Sequence, residues 1–478
     1  MPTPQVGTSD NPLRIAIIGS GPSGFYAADH LQKQKHLTVF IDMYDRLPTP
    51  FGLVRGGVAP DHQKIKSVTK VYDKIAANPN FRFFGNVEFG RDITREDLAQ
   101  HYHAIIYAVG AQTDRALGIP GEDLPGSHAA TEFVGWYNGH PDYRDLEFDL
   151  TQETAVVIGV GNVAMDVARI LGRTTTELME TDIADYALDA LANSSVKTIY
   201  VLGRRGPAQA AFTNPEIKEL GEMEAVDLIV APEDAALDEL SREELAKEAD
   251  RTAEKNVQIL QEASQRQPEG KPRRIIMRFL VSPVEIVGTD RVEAIKIVKN
   301  ELVRDSKGGL KAKATDQVET IPAGLVFRSV GYKGVALPGV PFNDSWGTIP
   351  NVAGRVMTTQ EGGQQVIGDY VVGWIKRGPS GIIGTNKPDS VETVEKLLED
   401  LNAGLLLAPA QTSGEAVVDL LEDRGVNYVT FADWQALDQI ELERGTAAGR
   451  PRLKINRVAE MLDALALARQ GEPDPAGD

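Results

Sequence analysis

The chain of 478 residues contains no cysteine, which excludes disulfides, thiolate-bound iron–sulfur clusters, cysteine-type zinc sites and any redox dithiol. Histidine is sparse, and the seven present show no H-E-x-x-H spacing, so no metal site is expected. No uninterrupted apolar run approaches the roughly 20 residues of a membrane span, and no membrane insertion is expected. Positive charge is in deficit too. With 50 Lys and Arg against 69 Asp and Glu the net charge is −19, which opposes non-specific attraction to nucleic acid or anionic lipid. An anionic ligand must then be met by a local cationic patch. Residues 1–13 have no apolar h-region and no arginine before Arg14, so they are expected to be a disordered N-terminus rather than a secretory or transit peptide. A cytoplasmic protein is expected.

What the chain does have is a glycine turn near its start. An apolar run, Ile15 to Ile18, enters Gly19-Ser20-Gly21-Pro22-Ser23-Gly24, a helix-forming segment follows, and a second strand from Leu37 to Tyr44 ends at Asp45. Gly19 makes the tight strand-to-helix turn, Gly21 lets a pyrophosphate approach the backbone N–H groups, and Gly24 lets helix and strand pack closely. Asp45 sits where it can accept from a ribose hydroxyl. The spacing predicts a dinucleotide site.

The stretch from Leu47 to His62 concentrates Pro and Gly among few polar residues. It reads as an ordered loop packed on something apolar, for which a flat aromatic cofactor is a natural candidate. His62 by its type alone is either a polar group of a redox site or a solvent or capping histidine. Residues 63–77 predict a helix, Phe81 to Val87 a strand, and His103 to Ala111 an apolar strand from which the chain crosses into a second domain near residue 112.

A second copy of the motif follows in Ala155 to Ile158, Gly159-Val160-Gly161-Asn162-Val163-Ala164. Ala164 replaces the third glycine, which close helix packing tolerates. Two dinucleotide folds imply two cofactors. The second strand of this copy is predicted at Lys197 to Leu202, after a helical insertion over 173–193, and it ends in Gly203-Arg204-Arg205-Gly206 rather than in an acid. A carboxylate there would repel a 2′-phosphate, whereas two guanidiniums bind it by charge-assisted bonds, so NADP(H) rather than NAD is expected.

Residues 232–268 are charged and helical in period, and predict a solvated hairpin decorating the second domain. Arg274 to Ser282 and Arg291 to Arg304 predict strands, with a hairpin near 306–309. Leu325 to Tyr332 repeats the strand-to-glycine pattern and returns the chain to the first domain. A helix is expected over 392–401, and amphipathic helices over 414–437 and 454–469. Arg450 to Lys454 is a small basic cluster, read as solvated surface or a partner site.

Gly19 to Gly24, Pro50-Phe51-Gly52-Leu53-Val54-Arg55 with Ala59-Pro60-Asp61-His62, Gly161 to Ala164 followed by Asp166-Val167-Ala168-Arg169, Gly203-Arg204-Arg205-Gly206-Pro207, and Gly373-Trp374-Ile375-Lys376-Arg377-Gly378-Pro379-Ser380-Gly381 together resemble the adrenodoxin-reductase-like family of ferredoxin–NADP(+) reductases. The likeness runs from about residue 13 to past 400. It implies an α/β fold of two Rossmann-like three-layer domains, the NADP domain inserted within the FAD domain, plus a small helical C-terminal extension. The implied limits are 1–13 disordered, 14–112 FAD domain, 113–330 NADP domain, 331–402 FAD domain again, and 403–478 extension with a disordered end from 471. It further implies that Ser23, Asp45, Leu53, Val87, Trp374 and Gly381, Ile382 and Ile383 contact FAD. Val160 to Val163, Arg204, Arg205, Glu216 and again Gly381 would contact NADP(H), and His62 and Glu216 would lie at the flavin's reactive edge.

Such an enzyme takes hydride from NADPH onto FAD and passes single electrons to a ferredoxin-type iron–sulfur protein, or the reverse. A docking patch is expected at Lys33, Lys35, Arg273 and Arg274. Two other classes compete: a flavin monooxygenase, whose F-x-G-x-x-x-H-x-x-x-W signature Phe133-Val134-Gly135-Trp136 begins but His140 misses by one residue, and a non-enzymatic NADP-sensing flavoprotein subunit.

Overall fold

The computed structural model describes residues 5–361 and 363–471. In chain order, β1 (Leu13–Ile18), β2 (Val39–Tyr44), β3 (Phe81–Phe84) and β4 (Ala104–Tyr107) precede a short crossing strand, β5 (Thr113–Asp114). Next come β6 (Ser127–Ala129), β7 (Thr154–Ile158), β8 (Thr198–Leu202), β9 (Val226–Val230) and β10 (Arg273–Arg278). A meander, β11 (Val281–Val287), β12 (Ala294–Arg304) and β13 (Leu310–Pro322), leads to β14 (Leu325–Arg328) and a return strand, β15 (Tyr332–Lys333). Last are β16 (Asn351–Val352), β17 (Arg355–Met357) and β18 (Gln365–Val371).

These strands form two main sheets. The first is seven-stranded in the order β16-β17-β18-β4-β1-β2-β3, and the second is six-stranded in the order β6-β14-β7-β8-β10-β9. Strands from both ends of the described chain meet in the first sheet, so the second is built on an insertion. The insertion is entered and left through β5 and β15, which pair antiparallel as Thr113↔Lys333 and Asp114↔Tyr332. In the first sheet Ile15 and Ile17 pack on one face and Ala16 and Ile18 on the other. Burial on both faces is why β1 reads as a continuous apolar run rather than an alternating one.

Several local expectations are corrected. Residues 5–12 are folded back rather than disordered, with the Thr38 N–H donating to the Gly7 carbonyl at 2.7 Å. Residues 1–4 and 472–478 of the expected disordered ends lie outside the described residues, and Gly471 closes the helix Val458–Gly471. The segment over 232–268 is only in part a solvated decoration of the second domain, through the helix Glu239–Glu248, which buries only Ser241. The helix Arg251–Ser264 is the crossover between the parallel strands β9 and β10 and buries Val257, Leu260 and Ala263, as parallel neighbours require. The strand expected over 274–282 is two strands in different sheets, broken at Leu280, whose φ is +55°. The helix expected over 63–77 is two, Gln63–Lys66 and Thr69–Ala76, and that expected over 414–437 breaks between Asp423 and Phe431.

The basic cluster of the C-terminal extension points inward. Arg450 donates to the Thr181 carbonyl at 3.2 Å and pairs with Asp185. Arg452 pairs with the buried Glu441 at 2.7 Å. Lys454 donates to the Asn138 carbonyl at 2.9 Å and pairs with Asp182 at 3.2 Å. None of the three is a solvated surface charge. Among the described residues no helix is long and apolar enough to cross a membrane.

Candidate functional site: two glycine turns and the ionic cluster between them

β1 delivers the chain into Gly19 at φ +107°, where a Cβ would meet the Ala108 carbonyl oxygen at 2.6 Å. A Cβ on Gly24 would lie 2.5 Å from the Gly19 carbonyl oxygen, whereas one on Gly21 would meet nothing within 4 Å. Packing therefore explains two of the glycines. The third opens onto space at the start of the helix Pro22–Gln32, whose N-cap is Gly21 and makes no side-chain cap, leaving N–H groups for an anion. Asp45 lies beside this opening, accepting from the Ser20 N–H at 3.0 Å, the Ser20 hydroxyl and the Leu47 N–H at 3.0 Å.

Around the turn stand apolar groups with few partners. Gly52, at φ +49°, brings its chain so close that a Cβ there would be 3.0 Å from the Gly21 Cα, and Leu53 after it is 46% exposed. Ile382 is 57% exposed, next to Gly381 at φ +80° and Ile383, which opens a single turn of 3-10 helix. Ser23 is buried against Gly373, on which a Cβ would meet the Ser23 hydroxyl at 2.5 Å. Val87 is buried, and its N–H donates to the Asp45 carbonyl at 2.9 Å. Trp374 stacks on Tyr332 of β15 with ring centroids 5.5 Å apart and an 18° interplanar angle. The tryptophan thus rests on the crossing between the two units. Open glycine backbone, an adjacent acid and exposed aliphatic groups fit a flavin dinucleotide.

The second turn repeats the first. Gly159 has φ +137° and a Cβ there would meet the Ser329 carbonyl oxygen at 2.1 Å, while one on Gly161 would meet nothing within 4 Å. Ala164 is fully buried. The loop is fixed from its other side, where the Ala211 N–H donates to the Val160 carbonyl at 2.8 Å and the Thr213 N–H to Asn162 Oδ1 at 2.8 Å; Val163 packs against the second unit's core. β8, paired with β7 as Ile158↔Leu202, ends beside this turn and presents Arg204 and Arg205. Both arginines are exposed, and among the described residues neither side chain has a hydrogen-bond or ion-pair partner.

Between the turns lies a charged cluster. Arg169, fully buried, donates to Asp61 at 2.7 Å, to Asp166 at 2.5 Å and to Glu216 at 2.9 Å. Arg173 meets Asp61 at 2.6 Å and Glu219 at 2.8 Å. His62 Nε2 is 3.1 Å from Glu219, and its Nδ1 is 3.9 Å from both Asp166 and Glu216. Burial, and after it the Asp166 carboxylate, pushes Glu216 up to about 7. Burial pulls His62 down most strongly, but the bond to Glu219 together with the Asp166 and Asp61 carboxylates outweighs it and the imidazole ends above its ordinary value. Burial disfavours ionised Asp61 as well, yet the two arginines hold it well below the usual carboxylate range. His62, Glu216 and Glu219 stand close enough to ligate a metal, but Arg169 and Arg173 already supply the positive charge there.

The profile of the pyridine nucleotide-disulphide oxidoreductase family matches residues 13–273. "NADPH-ferredoxin reductase FprA" of Mycobacterium leprae is 49% identical over 453 residues, covering 94% of this chain and 97% of that protein. The mitochondrial "NADPH:adrenodoxin oxidoreductase" of Salvelinus fontinalis is 42% identical, covering 94% and 90%. The chain belongs to the adrenodoxin-reductase-like ferredoxin–NADP(+) reductase family. The solved structure of Mycobacterium tuberculosis FprA in complex with NADPH has the same fold, with a TM-score of 0.89 at 47% identity, covering 95% of this chain and 100% of that one. The profile's name refers to disulphide chemistry, which a family member without cysteine cannot itself perform.

The motif residues singled out in the sequence come together as two groups, one at each turn, with His62 and Glu216 between. The residues expected to dock a partner are not part of either group. The helix Pro22–Gln32 runs back from the turn, so Lys33 and Lys35 sit at the opposite edge of the first sheet, and Lys33 pairs with Asp29 at 2.6 Å. Arg273 opens β10 at the far edge of the second sheet and donates to the carbonyls of Arg173 at 2.6 Å and Val196 at 3.2 Å. Phe133 and Trp136 lie in the buried helix Ala130–Tyr137 and are core residues rather than a monooxygenase signature. Asp61, Asp166, Arg169, Arg173 and Glu219 were missed as site residues. Signals for some of them were present, since Asp61, Asp166 and Arg169 stand inside the motifs that carry the family resemblance and Asp166, Arg169 and Arg173 follow a polar spacing of three and four residues; Glu219 had none.

Proposed function

We propose that this chain is an FAD-dependent ferredoxin–NADP(+) reductase, moving electrons between NADPH and a ferredoxin-type iron–sulfur protein. When bound, FAD converts a two-electron hydride into single electrons; the chain contains no cysteine to hold an iron–sulfur centre itself. The observation that carries the reading is the contrast at the ends of the second strands. An acid engaged by Ser20 flanks one turn, and two exposed arginines whose side chains have no partner among the described residues flank the other.

In this reading residues 14–112 and 331–402 form the FAD domain, residues 113–330 the NADP domain, and 403–478 an extension. The N–H groups after Gly21 take the FAD pyrophosphate and Asp45 a ribose hydroxyl, while Leu53, Ile382 and Trp374 exclude water from the ring. Gly161, Asn162 and Val163 receive the NADP pyrophosphate, and Arg204 and Arg205 its 2′-phosphate. His62 and Glu216 hold a proton and a charge beside the ring without being obligatory, because hydride transfer itself needs no general base. A cytoplasmic location is part of the proposal, and cell fractionation checks it.

The test is NADPH-dependent reduction of cytochrome c with and without an added ferredoxin. Strong stimulation by ferredoxin is expected. No stimulation, together with oxygen uptake that depends on an organic substrate, would favour the monooxygenase instead.

A further inference from the structure

One short loop of the first unit carries four charged side chains that each leave the unit. Arg55 meets Glu441 of the C-terminal extension at 2.6 Å, and Lys66 meets Asp182 of the insertion at 2.7 Å. Asp61 is shared by Arg169 and Arg173, and His62 reaches Glu219 on the helix Asn214–Glu222. Of these contacts, the one at Asp61 is the most enclosed on both sides: its side chain is 6% exposed and that of Arg169 0%.

Buried ion pairs cost several kcal/mol in desolvation and are weak stabilisers, but they fix geometry wherever every member is satisfied. Here Asp61 takes two hydrogen bonds from Arg169 and one from Arg173. The Arg169 guanidinium then reaches Glu216 with its remaining nitrogen at 2.9 Å. We propose that Asp61 is a positioning residue for hydride transfer, latching the inserted unit to the flavin-side loop through Arg169 and Arg173 and thereby setting where Glu216 and His62 stand. The inference rests on the reductase reading for the reaction it serves, though not for the latch itself.

Charge follows from the same contacts. Glu216 faces Asp166 and Arg169 from the helix Asn162–Gly172, His62 from the loop, and Glu219 from its own helix, with Asp61 and Arg173 behind Arg169 and Glu219. Glu177 lies behind Arg173 at 2.8 Å, and the phenols of Tyr137 and Tyr332 close the cluster, both far above neutrality through burial. Removing the Asp61 charge frees Arg169 to favour ionised Glu216 and removes an anion that favours protonated His62. Both groups move to lower pH.

The test uses the FAD-loaded enzyme. Because the chain has no cysteine, Lys33→Cys on the first unit and Lys197→Cys on the second, both exposed, accept spin labels whose separation reports how the units sit. In Asp61→Asn the distance distribution should broaden or gain a second population. Flavin reduction by NADPH should slow on the order of 10- to 100-fold, as a misplaced reacting pair does, and its pH transition should move to lower pH. FAD content should stay at the wild-type level. Asp61→Glu, which keeps the charge, should return the transition toward its wild-type position. An unchanged distance distribution or an unchanged pH transition in Asp61→Asn overturns the proposal, as does an equal shift in Asp61→Glu. A wild-type protein that oxidised no NADPH would defeat the reductase reading while leaving the distance measurement to judge the latch.

Discussion

A Cβ on Gly19 would press on the Ala108 carbonyl and one on Gly159 on that of Ser329, while Gly21 and Gly161 each look onto open space. The backbones of the two turns are thus near copies. Around the first, Gly52, Leu53 and the Trp374–Tyr332 stack build apolar walls, and Asp45 is engaged by three donors. The second is flanked by exposed guanidiniums that have no partner among the described residues. The comparison teaches that the turn provides for a pyrophosphate in either place, and that the cofactor is chosen by what the next strand delivers.

The sharpest way to break the comparison is to fill the open glycines. Valine fits the backbone at both, where φ is −79° and −105°, and its Cβ meets no protein atom within 4 Å, so the fold should survive. Gly21→Val should yield colourless protein without FAD. Gly161→Val should stay yellow but bind NADPH at least 100-fold more weakly, since steric exclusion at a backbone cradle removes the phosphate contacts together. Loss of FAD from both, or from neither, would mean the turns are not divided in this way.

A narrower effect is expected where the turns differ. Replacing Arg204 and Arg205 with Ala should cost on the order of 3–6 kcal/mol of discrimination between NADPH and NADH, if each charged contact is worth roughly 1.5–3. Steady-state KM values for the two nucleotides check it, and equal losses for both would refute the assignment. Between the turns, His62→Ala or Glu216→Ala should slow stopped-flow reduction by about one to two orders of magnitude, as loss of one preorganised contact does. Complete loss with FAD still bound would make proton transfer obligatory.

Glu216 also links the cluster to stability. Its pKa is raised to about 7 from 4.5, so its contribution is fully present below the unfolded value and is lost as pH rises through the folded one. Glu216→Gln should therefore gain stability relative to wild type on going from pH about 5 to about 8, read as the difference in melting temperature. A difference that does not change with pH would contradict the burial argument. The smallest effect belongs to the far edges of the sheets: Lys33→Glu should leave the KM for ferredoxin unchanged across an ionic-strength series, because it sits away from both turns.

Both turns, the acid, the arginine pair and the insertion were legible in the sequence, because glycine spacing and strand–helix periodicity are local signals. What was not legible came from chain segments far apart. Asp61 and Arg169 lie 108 positions apart, and nothing local marks them as partners. Arg450 to Lys454 looked solvated because charged residues are mostly exposed, yet acceptors at Thr181, Asp182 and Glu441 turn them inward. The lysines expected to dock a partner follow the first helix and so lie at the end of the sheet away from its glycine turn.

The most direct test of the account is an anaerobic titration of the purified protein watched in the visible band of the flavin. NADPH should bleach the band, and an oxidised ferredoxin added afterwards should restore it at the ratio that a two-electron hydride and a one-electron acceptor demand. A band that NADPH bleaches but ferredoxin leaves bleached, or one that NADH bleaches as readily as NADPH, would contradict it.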